Sequence, residues 1–353
     1  MMRCHAMISA RWIFLLWLVA CWTVSVSPGQ AQENGKESER ATEKAFYAGK
    51  TVRMIVGAGV GGGFHVFSRM IAPYLAETLG ATVIVENQPG AGGLVALNRL
   101  YTAPPDGLQI SLANGTMAAS AQLTGYARFD LASFSYLSTV GTPPGLWLVA
   151  PNSPFREVQQ AIDAKQRWRW ASAGGTSMLG IGAALTCEAL KLDCHVVQGY
   201  KSSAEAALSV MRGETDAIYV PESSANQFVN ARQNWALATI SRTRSRYFPN
   251  RPTIFEAAKM DADGIWVMDF LSNIEKLGRV FLAPPGIPPA RLAWLQDAVR
   301  QTLHNPQLIA EGEKADRHVE YLDPVGSRQN VAAVVGSVTP EQRARVLKIL
   351  SRD

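Results

Sequence analysis

Glycines that follow a short apolar run give this sequence its clearest binding chemistry. The segment 57–63, GAGVGGG, follows the apolar residues Val52, Met54, Ile55 and Val56 and precedes apolar residues at helical spacing. The first N–H groups of a helix have no partner within the helix and lie at the positive end of its dipole. A glycine loop at this position lets a ligand approach those groups closely. The pattern therefore predicts that the backbone binds an anion.

A second loop, 172–177 (SAGGTS), has the same character. It follows the strand predicted at 169–173 and adds the hydroxyl groups of Ser172, Thr176 and Ser177 to the backbone donors. Capping of the next helix by Thr176 or Ser177 is the alternative interpretation. Ligands of open α/β sheets bind outside the carboxyl ends of the strands. Two such loops therefore predict a binding cleft between two lobes.

A competing hypothesis concerns a dinucleotide. Gly57, Gly59 and Gly62 satisfy G-x-G-x-x-G. Glu86 ends the following strand, where a dinucleotide-binding fold keeps the acid that binds the ribose. This spacing is typical of an oxidoreductase that uses NAD. The N-terminal residues argue against it, because they indicate export away from the cytosolic pool of pyridine nucleotides.

Residues 1–31 have the layout of a secretory signal peptide. Two arginines precede an apolar run, and small residues lead to a cleavage position after Ala31. Cys21 ends a second processing pattern, LVAC, which would make this cysteine a lipidated N-terminus. Either route exports the protein to the periplasm. The polar segment 32–45 that follows is predicted to be a flexible linker.

Composition narrows the function further. The net charge is +5, and no basic run or aromatic-interleaved patch indicates binding of nucleic acid. The histidines lack the spacing of a metal site, and the motifs G-x-S-x-G, G-x-x-x-x-G-K and H-E-x-x-H do not occur. We therefore predict no enzyme activity, no metal and no cofactor. Cys187 and Cys194 are expected to form a disulfide after export, with two buried thiols as the alternative.

Alternating strand and helix signals predict an α/β fold whose sheets are of parallel type and carry helices on both faces. The strands are predicted at 52–57, 82–86, 109–113, 146–150, 169–173, 195–198, 216–220, 236–240 and 279–283. The helices are predicted at 64–78, 92–102, 177–191, 203–212, 222–231, 289–303, 306–314 and 340–351. The stretches 146–162 and 280–299 share a strand, an Ala-Pro turn and an amphipathic helix. Their strands are predicted to be the pair that crosses between the lobes.

Three stretches of the sequence resemble a known family. The first joins the glycine loop to ENQPGAGG at 86–93 and to PDG at 105–107. The second is WASAGGTSMLG at 170–180, and the third is FLAPPGIPPARLAWL at 281–295. These motifs are similar to those of the solute receptors of tripartite tricarboxylate transporters, the Bug-type periplasmic binding proteins. The resemblance extends from about Lys50 to Gln307.

The resemblance implies a two-lobed, periplasmic-binding-protein-like α/β fold of type II, the Venus flytrap. The first lobe is expected at 46–148 and again at 246–353, and the second at 149–245. The resemblance also implies that a monomeric receptor captures a small carboxylate in the cleft and delivers it to the permease subunits of a membrane transporter. A ligand sensor that docks on a signalling receptor is an alternative use of the same fold.

By the same resemblance, the carboxylate is held by the glycine loop after the first strand and by the Pro-Gly-Ala-Gly-Gly turn. The end of the third strand is expected on the same rim of the cleft, and the loop 172–177 on the opposite rim. The ligand-binding residues implied are Gly61, Gly62, Gly63, Phe64, His65, Gly90, Ala91, Gly92, Gly93, Asn114, Gly115, Thr116, Ser172, Gly174, Gly175, Thr176 and Ser177. Relatives usually carry a small residue and an acid where this chain has Phe64 and His65. The added apolar area and the lost negative charge favour an aromatic or larger monocarboxylate over citrate.

Overall fold

Two five-stranded sheets form the framework of the protein. The computed structural model describes residues 28–141 and 144–351. In chain order the strands are β1 (Thr51–Val56), β2 (Thr82–Asn87), β3 (Gln109–Asn114), β4 (Ser135–Thr139), β5 (Gly145–Val149), β6 (Trp168–Ala171), β7 (Cys194–Val197), β8 (Ala217–Pro221), β9 (Trp235–Ile240) and β10 (Arg279–Ala283).

The two sheets have the same topology. The first has the order β2-β1-β3-β10-β4 and the second the order β7-β6-β8-β5-β9. In each sheet the first three strands are parallel, and the fourth is antiparallel to both of its neighbours. β5 and β10 therefore hold equivalent positions, and each is the first strand after the chain crosses to the other sheet. The predicted relation between 146–162 and 280–299 is thereby confirmed.

Helices surround both sheets. In chain order they are α1 (Pro28–Tyr47), α2 (Gly63–Leu79), α3 (Leu94–Tyr101), α4 (Gly115–Thr124), α5 (Val158–Asp163), α6 (Met178–Leu190), α7 (Ser203–Met211), α8 (Glu222–Asn230), α9 (Ile254–Ala257), α10 (Ala262–Glu275), α11 (Pro289–Leu303), α12 (Pro306–Lys314), α13 (Pro324–Gly336) and α14 (Pro340–Leu350). Two short 3-10 helices lie at Ala91–Gly93 and Leu131–Ser133. Both α10 and α14 pack against α4 of the first lobe and α6 of the second.

Each lobe has a core of large side chains. In the first lobe, Phe67 of α2 and Phe281 of β10 are fully buried in one cluster. In the second lobe, the ring centroid of Trp147 lies 5.3 Å from that of Trp168 and 5.1 Å from that of Trp170. Aromatic rings at these distances bury a large apolar area and fix the strands that carry them. The rigid sheets then position the loops at their edges.

The segment 32–45 is not the flexible linker that its polarity predicted. It is part of helix α1, which spans Pro28–Tyr47. The segment is rich in Glu, Lys, Arg, Gln and Ala, which favour helix even where no apolar face forms. Its C-terminal end is also anchored: Tyr47 is fully buried and donates a hydrogen bond to the Gly107 carbonyl at 3.1 Å. The contacts of the chain divide at residue 40, and both sheets belong to the unit Arg40–Asp353.

The predicted end of the first lobe at residue 148 is also corrected. Strand β5 (Gly145–Val149) lies in the second sheet, between β8 and β9. β4, the edge strand of the first sheet, has no predicted counterpart, and the next apolar run was assigned to this lobe in its place. The chain thus leaves the first sheet after Thr139 and before Gly145. The remaining domain limits stay predictions.

Cys187 and Cys194 are joined by a disulfide, with their Cα atoms 6.2 Å apart. This bond ties the end of α6 to the start of β7. Within residues 28–141 and 144–351, no helix is long and apolar enough to cross a membrane. Residues 1–27, which include Cys21 and most of the predicted signal peptide, lie outside the described part of the chain.

Candidate functional site

The parallel strands of both sheets lead into helices that begin around one cavity. The N-terminal capping residues of six helices line it: Gly62 (α2), Gly93 (α3), Asn114 (α4), Ser177 (α6), Ser202 (α7) and Pro221 (α8). Three of these helices belong to the first lobe and three to the second. Because helix dipoles place positive partial charge at their N-termini, the cavity favours a negatively charged ligand.

Three of the six helix ends are left open by their own sequence. Asn114, Ser177 and Ser202 each accept a hydrogen bond from a first-turn N–H group, at 2.8 to 3.2 Å. Gly62, Gly93 and Pro221 form no such side-chain cap. Their first-turn N–H groups have no acceptor within the regular helix. The first of them in α3, on Leu94, donates to the Ala91 carbonyl, and the first in α8, on Glu222, donates to the Pro144 carbonyl at 2.9 Å, so the later N–H groups of these turns are the ones available to a ligand. The most open end is that of α2, which the glycine loop precedes.

The cavity has a volume of about 300 Å³. That is near the lower limit for small-molecule sites, so it suits a compact ligand. Most of the side chains in its wall are apolar: Phe64, Leu97, Met117, Met178, Leu179 and Tyr200 are among them. A ligand that fits this wall combines an anionic group with an apolar body.

The cleft is closed, and glycines allow the two lobes to approach at their backbones. The N–H of Gly59 donates to the Lys201 carbonyl at 3.0 Å, and Thr176 Oγ1 donates to the Ala91 carbonyl at 2.8 Å. A Cβ atom at Gly59 would lie 2.4 Å from the Lys201 oxygen, and one at Gly92 would lie 2.5 Å from a backbone nitrogen of the second lobe. No side chain larger than hydrogen fits at either position. The glycines thus serve closure as well as access to backbone donors.

The structure brings about half of the sequence-predicted residues to the cavity. Those that line it are Gly62, Gly63, Phe64, Gly90, Gly92, Gly93, Asn114 and Ser177. Those that do not are Gly61, His65, Ala91, Gly115, Thr116, Ser172, Gly174, Gly175 and Thr176. The two groups come from the same loops. These loops therefore lie at the cavity as expected, but only some of their residues form its wall.

Hydrogen bonds explain where the second group points. His65 Nδ1 bonds to the Asn87 side-chain oxygen at 2.7 Å, which holds the ring within the first lobe. The buried Ser172 hydroxyl bonds to the Ser177 hydroxyl at 2.9 Å and so shapes its own loop. Thr116 donates to a carbonyl of α10 at 3.2 Å. These side chains build the walls that hold the lining residues.

Sequence reasoning missed a third loop and one charged residue. The loop 198–202, between β7 and α7, places Tyr200 and Ser202 in the cavity wall. Its signal was present, since a serine that follows a strand and precedes a helix is a capping pattern. Arg279 gave no such signal, because it is the first residue of an apolar strand far from the glycine loops in sequence.

Arg279 is 4% exposed and lines the cavity. Its Nη2 donates to Ser223 Oγ at 3.0 Å, and its guanidinium carbon lies 4.6 Å from the ring centroid of Phe67. Its Nε has no hydrogen-bond partner within the described residues. Burial, and then the positive charge of Arg317, lower the pKa of the Arg279 guanidinium to about 10. The group is therefore a cation at neutral pH, although its site destabilises the charge.

Glu275 is the buried acid nearest to Arg279 in sequence. Burial raises the pKa of its carboxyl well above the usual range, and the backbone N–H of Gly145 donates to it. Glu275 and Arg279 both line a small neighbouring cavity of about 20 Å³, together with Thr116. The raised pKa means that the protonated form of Glu275 is the one that the fold favours.

The dinucleotide hypothesis gains no support from the geometry. The Glu86 carboxylate forms an ion pair with Arg53 at 2.8 Å and does not line the cavity. A Cβ atom at Gly57 would lie 2.6 Å from the Cα of Gly93, so this glycine allows two loops of the first lobe to pack. Close backbone approaches thus account for Gly57 and Gly59, two of the three glycines of the G-x-G-x-x-G pattern. Within the described residues, no group of three potential metal ligands occurs either.

Comparison with known proteins decides the family. The family model described as "Tripartite tricarboxylate transporter family receptor" matches residues 67–335. The chain belongs to this family of receptors. Among its relatives, a UPF0065 protein of Bordetella pertussis is 27% identical over 274 residues, which cover 74% of this receptor and 79% of the relative.

Solved structures confirm the two-lobed periplasmic-binding-protein fold of this receptor. The periplasmic binding protein BugD has a TM-score of 0.72 at 21% identity, over 86% of this receptor and 98% of that chain. MatC from Rhodopseudomonas palustris, solved with bound malate, has a TM-score of 0.71 at 21% identity, over 86% of this receptor and 99% of that chain.

Proposed function

We propose that this receptor binds a small organic carboxylate between its lobes and presents it to the membrane subunits of a tripartite tricarboxylate-type transporter. The observation that carries the proposal is the cavity, at which six helices from both lobes begin beside one buried guanidinium. Family membership supports the role in transport. The malate bound to the structural relative supports a carboxylate as the ligand class.

Ligand capture follows from the closed geometry. The open ends of α2 and α3 belong to the first lobe and that of α8 to the second, so a bound carboxylate accepts hydrogen bonds from both sides of the cleft. Hydrogen bonds to a charged acceptor are about twice as strong as neutral ones. A ligand that contacts both lobes binds the closed form more tightly than the open form, and that difference drives closure. The transporter then recognises the closed receptor.

The cavity is suited to binding rather than to catalysis. Its Ser111 hydroxyl donates to the Ile55 carbonyl at 2.8 Å, and its Ser177 hydroxyl donates within its own loop at 2.6 Å. Among the described residues that line it, none is a histidine. A serine nucleophile needs an adjacent base to activate it. We therefore propose that the receptor is not an enzyme, that it is monomeric, and that residues 1–31 direct it to the periplasm.

A thermal-shift screen of the chain from Gln32 tests the function. The panel consists of aliphatic and aromatic monocarboxylates, di- and tricarboxylates, amino acids and NAD. A ligand at 100 times its dissociation constant stabilises the fold by about 2.7 kcal/mol, which is easily detected. We expect a carboxylate to give the largest shift. Stabilisation by NAD alone, or by no carboxylate at all, would contradict the proposal.

An uptake assay separates transport from sensing. Cells that lack this receptor are compared with cells that carry it, using the radiolabelled carboxylate that gives the largest shift. Loss of uptake in the deletion strain supports transport. Unchanged uptake, together with a loss of the transcriptional response to the same carboxylate, would favour the signalling role instead.

A further inference from the structure

Arg279 occupies an unusual place between the two lobes. It begins β10, the antiparallel strand between β3 and β4 of the first sheet, yet its Nη2 donates to Ser223 of α8 in the second lobe at 3.0 Å. Its side chain is 4% exposed and lines the main cavity. The same guanidinium therefore lies both at the interface between the lobes and in the wall of the main cavity.

Arg279 forms no direct ion pair in the described part of the protein, and its charge is attracted only from a distance by the Glu222 carboxylate of α8. The nearest acid along α8, Glu222, is engaged elsewhere, since it accepts from Ser245 Oγ at 2.7 Å and lies 3.6 Å from Arg246 Nε. Within the described residues, Arg279 forms no ion pair, and its Nε has no hydrogen-bond partner. An isolated buried charge is costly unless it is paired and hydrogen-bonded. An anion that enters the cavity would remove this cost.

The rest of the cavity offers no second buried cation among the described residues. Lys201 is the other basic residue in the wall, and it is exposed, with its backbone carbonyl bonded to Gly59. The wall otherwise consists largely of apolar side chains such as Phe64, Met117 and Leu179. A second carboxylate on the ligand would lose its hydration there without gaining an ionic partner.

We propose that Arg279 is the charge partner of the ligand, and that the ligand is a monocarboxylate with an apolar body. This inference rests on the proposed function and specifies its ligand class. The carboxylate binds the guanidinium from the cavity side, and the apolar body lies against Phe64 and Met117. Since Arg279 also bonds to Ser223, ligand binding at this residue strengthens the contact between the lobes.

Isothermal titration calorimetry on the chain from Gln32 tests the inference. The probes are phenylacetate, hexanoate, phenylacetamide and malate. The variants are Arg279→Gln, Arg279→Lys and the control Arg317→Gln. Arg317 is a matched control because it is 3% exposed, also carries an unpartnered nitrogen within the described residues, and does not line the cavity.

Hydrogen bonds to charged groups contribute enough that their loss weakens binding by about 10- to 150-fold. We expect Arg279→Gln to bind phenylacetate or hexanoate more weakly by this factor. Arg279→Lys should recover part of the affinity, and Arg317→Gln should bind as tightly as the wild-type protein. We also expect phenylacetamide and malate to bind the wild-type protein at least about 10-fold more weakly than the better monocarboxylate. The amide comparison needs no variant and tests whether the ligand must carry a negative charge. Arg279→Lys keeps the positive charge but not the guanidinium, so it tests the residue itself even if Arg279→Gln does not fold: affinity equal to that of the wild-type protein would contradict a role for the guanidinium hydrogen bonds.

Two results would overturn the inference while leaving the proposed function intact. One is a carboxylate that binds Arg279→Gln as tightly as the wild-type protein. The other is malate or the amide binding as tightly as the monocarboxylates. Failure of every carboxylate, monocarboxylates and malate alike, to bind the wild-type receptor would instead remove the proposed function, and the inference with it.

Discussion

Replacing Gly59 with alanine should weaken ligand binding without touching the ligand. Gly59 is buried between the lobes but does not line the cavity. The new Cβ would lie 2.4 Å from the Lys201 carbonyl oxygen, whereas ordinary contacts begin at 3.4 Å. The backbone of Gly59 has a conformation that alanine accepts, so the clash arises only when the lobes are closed.

The expected loss of affinity follows from the hydrogen bonds between the lobes that the clash breaks. Relief requires the two loops to separate by about 1 Å, which lengthens the 3.0 Å bond from Gly59 to Lys201 and the 2.8 Å bond from Thr176 to Ala91. Each such bond contributes about 0.5–1.5 kcal/mol. Loss of both destabilises the closed state by about 1–3 kcal/mol, which weakens ligand binding by about 5- to 150-fold.

Calorimetric titration with the carboxylate that gives the largest thermal shift measures this loss, and small-angle scattering reports whether the lobes still close. Two alanine controls separate closure from local strain. Gly61 has a φ of 82° and no atom within 4 Å of the position that an added methyl group would take, so its alanine variant should lose stability but keep affinity. At Gly175 the nearest atom lies 3.7 Å away, and neither property should change. Wild-type affinity in Gly59→Ala would refute the reasoning.

Three further variants test other parts of the structure. Glu275→Gln should flatten the pH dependence of stability. Burial raises the pKa of the Glu275 carboxyl in the folded protein, so the wild-type protein loses stability as the pH rises above the usual carboxyl range. The loss is about 1.4 kcal/mol for each pH unit until the carboxyl ionises in the folded protein. Urea titrations at pH 5 and pH 8 check this. Reduction of the Cys187–Cys194 bond, whose sequence separation is 7, should lower the free energy of unfolding by about 2.5 kcal/mol in urea, and the double serine variant should match it. Arg291→Ala should cost about 3–5 kcal/mol, because it leaves the buried Glu43 carboxylate without its partner at 2.8 Å; thermal unfolding measures the loss.

The parts of the fold that the sequence predicts well are those with a local cause. The strand predicted at 52–57 and the helix predicted at 64–78 correspond to β1 (Thr51–Val56) and α2 (Gly63–Leu79). A buried apolar run and a glycine loop mark these limits without any knowledge of the rest of the chain. The same holds for the loop 172–177, whose capping serine opens α6.

Two of the elements that were not predicted, α4 and β4, are buried from several sides. In α4, 9 of the 10 residues are buried, so the helix has no polar face and no periodic pattern to detect. All five residues of β4 are buried although two of them are serines, so the strand lacks both alternation and an apolar run. The contact of Arg279 with Ser223 joins residues distant in sequence, and no local pattern encodes it.

The position of β10 also sets an order in which the lobes form. All five strands of the second sheet lie within Gly145–Ile240, whereas the first sheet needs Arg279–Ala283 between β3 and β4. During synthesis the second sheet is complete before β10 exists, and the neighbouring edges of β3 and β4 remain unpaired until it arrives. Unpaired edges invite pairing with other chains, and distant pairing is slow because a long loop must close first. The first lobe, which supplies the glycine loop, is therefore the aggregation-sensitive half of the nascent protein.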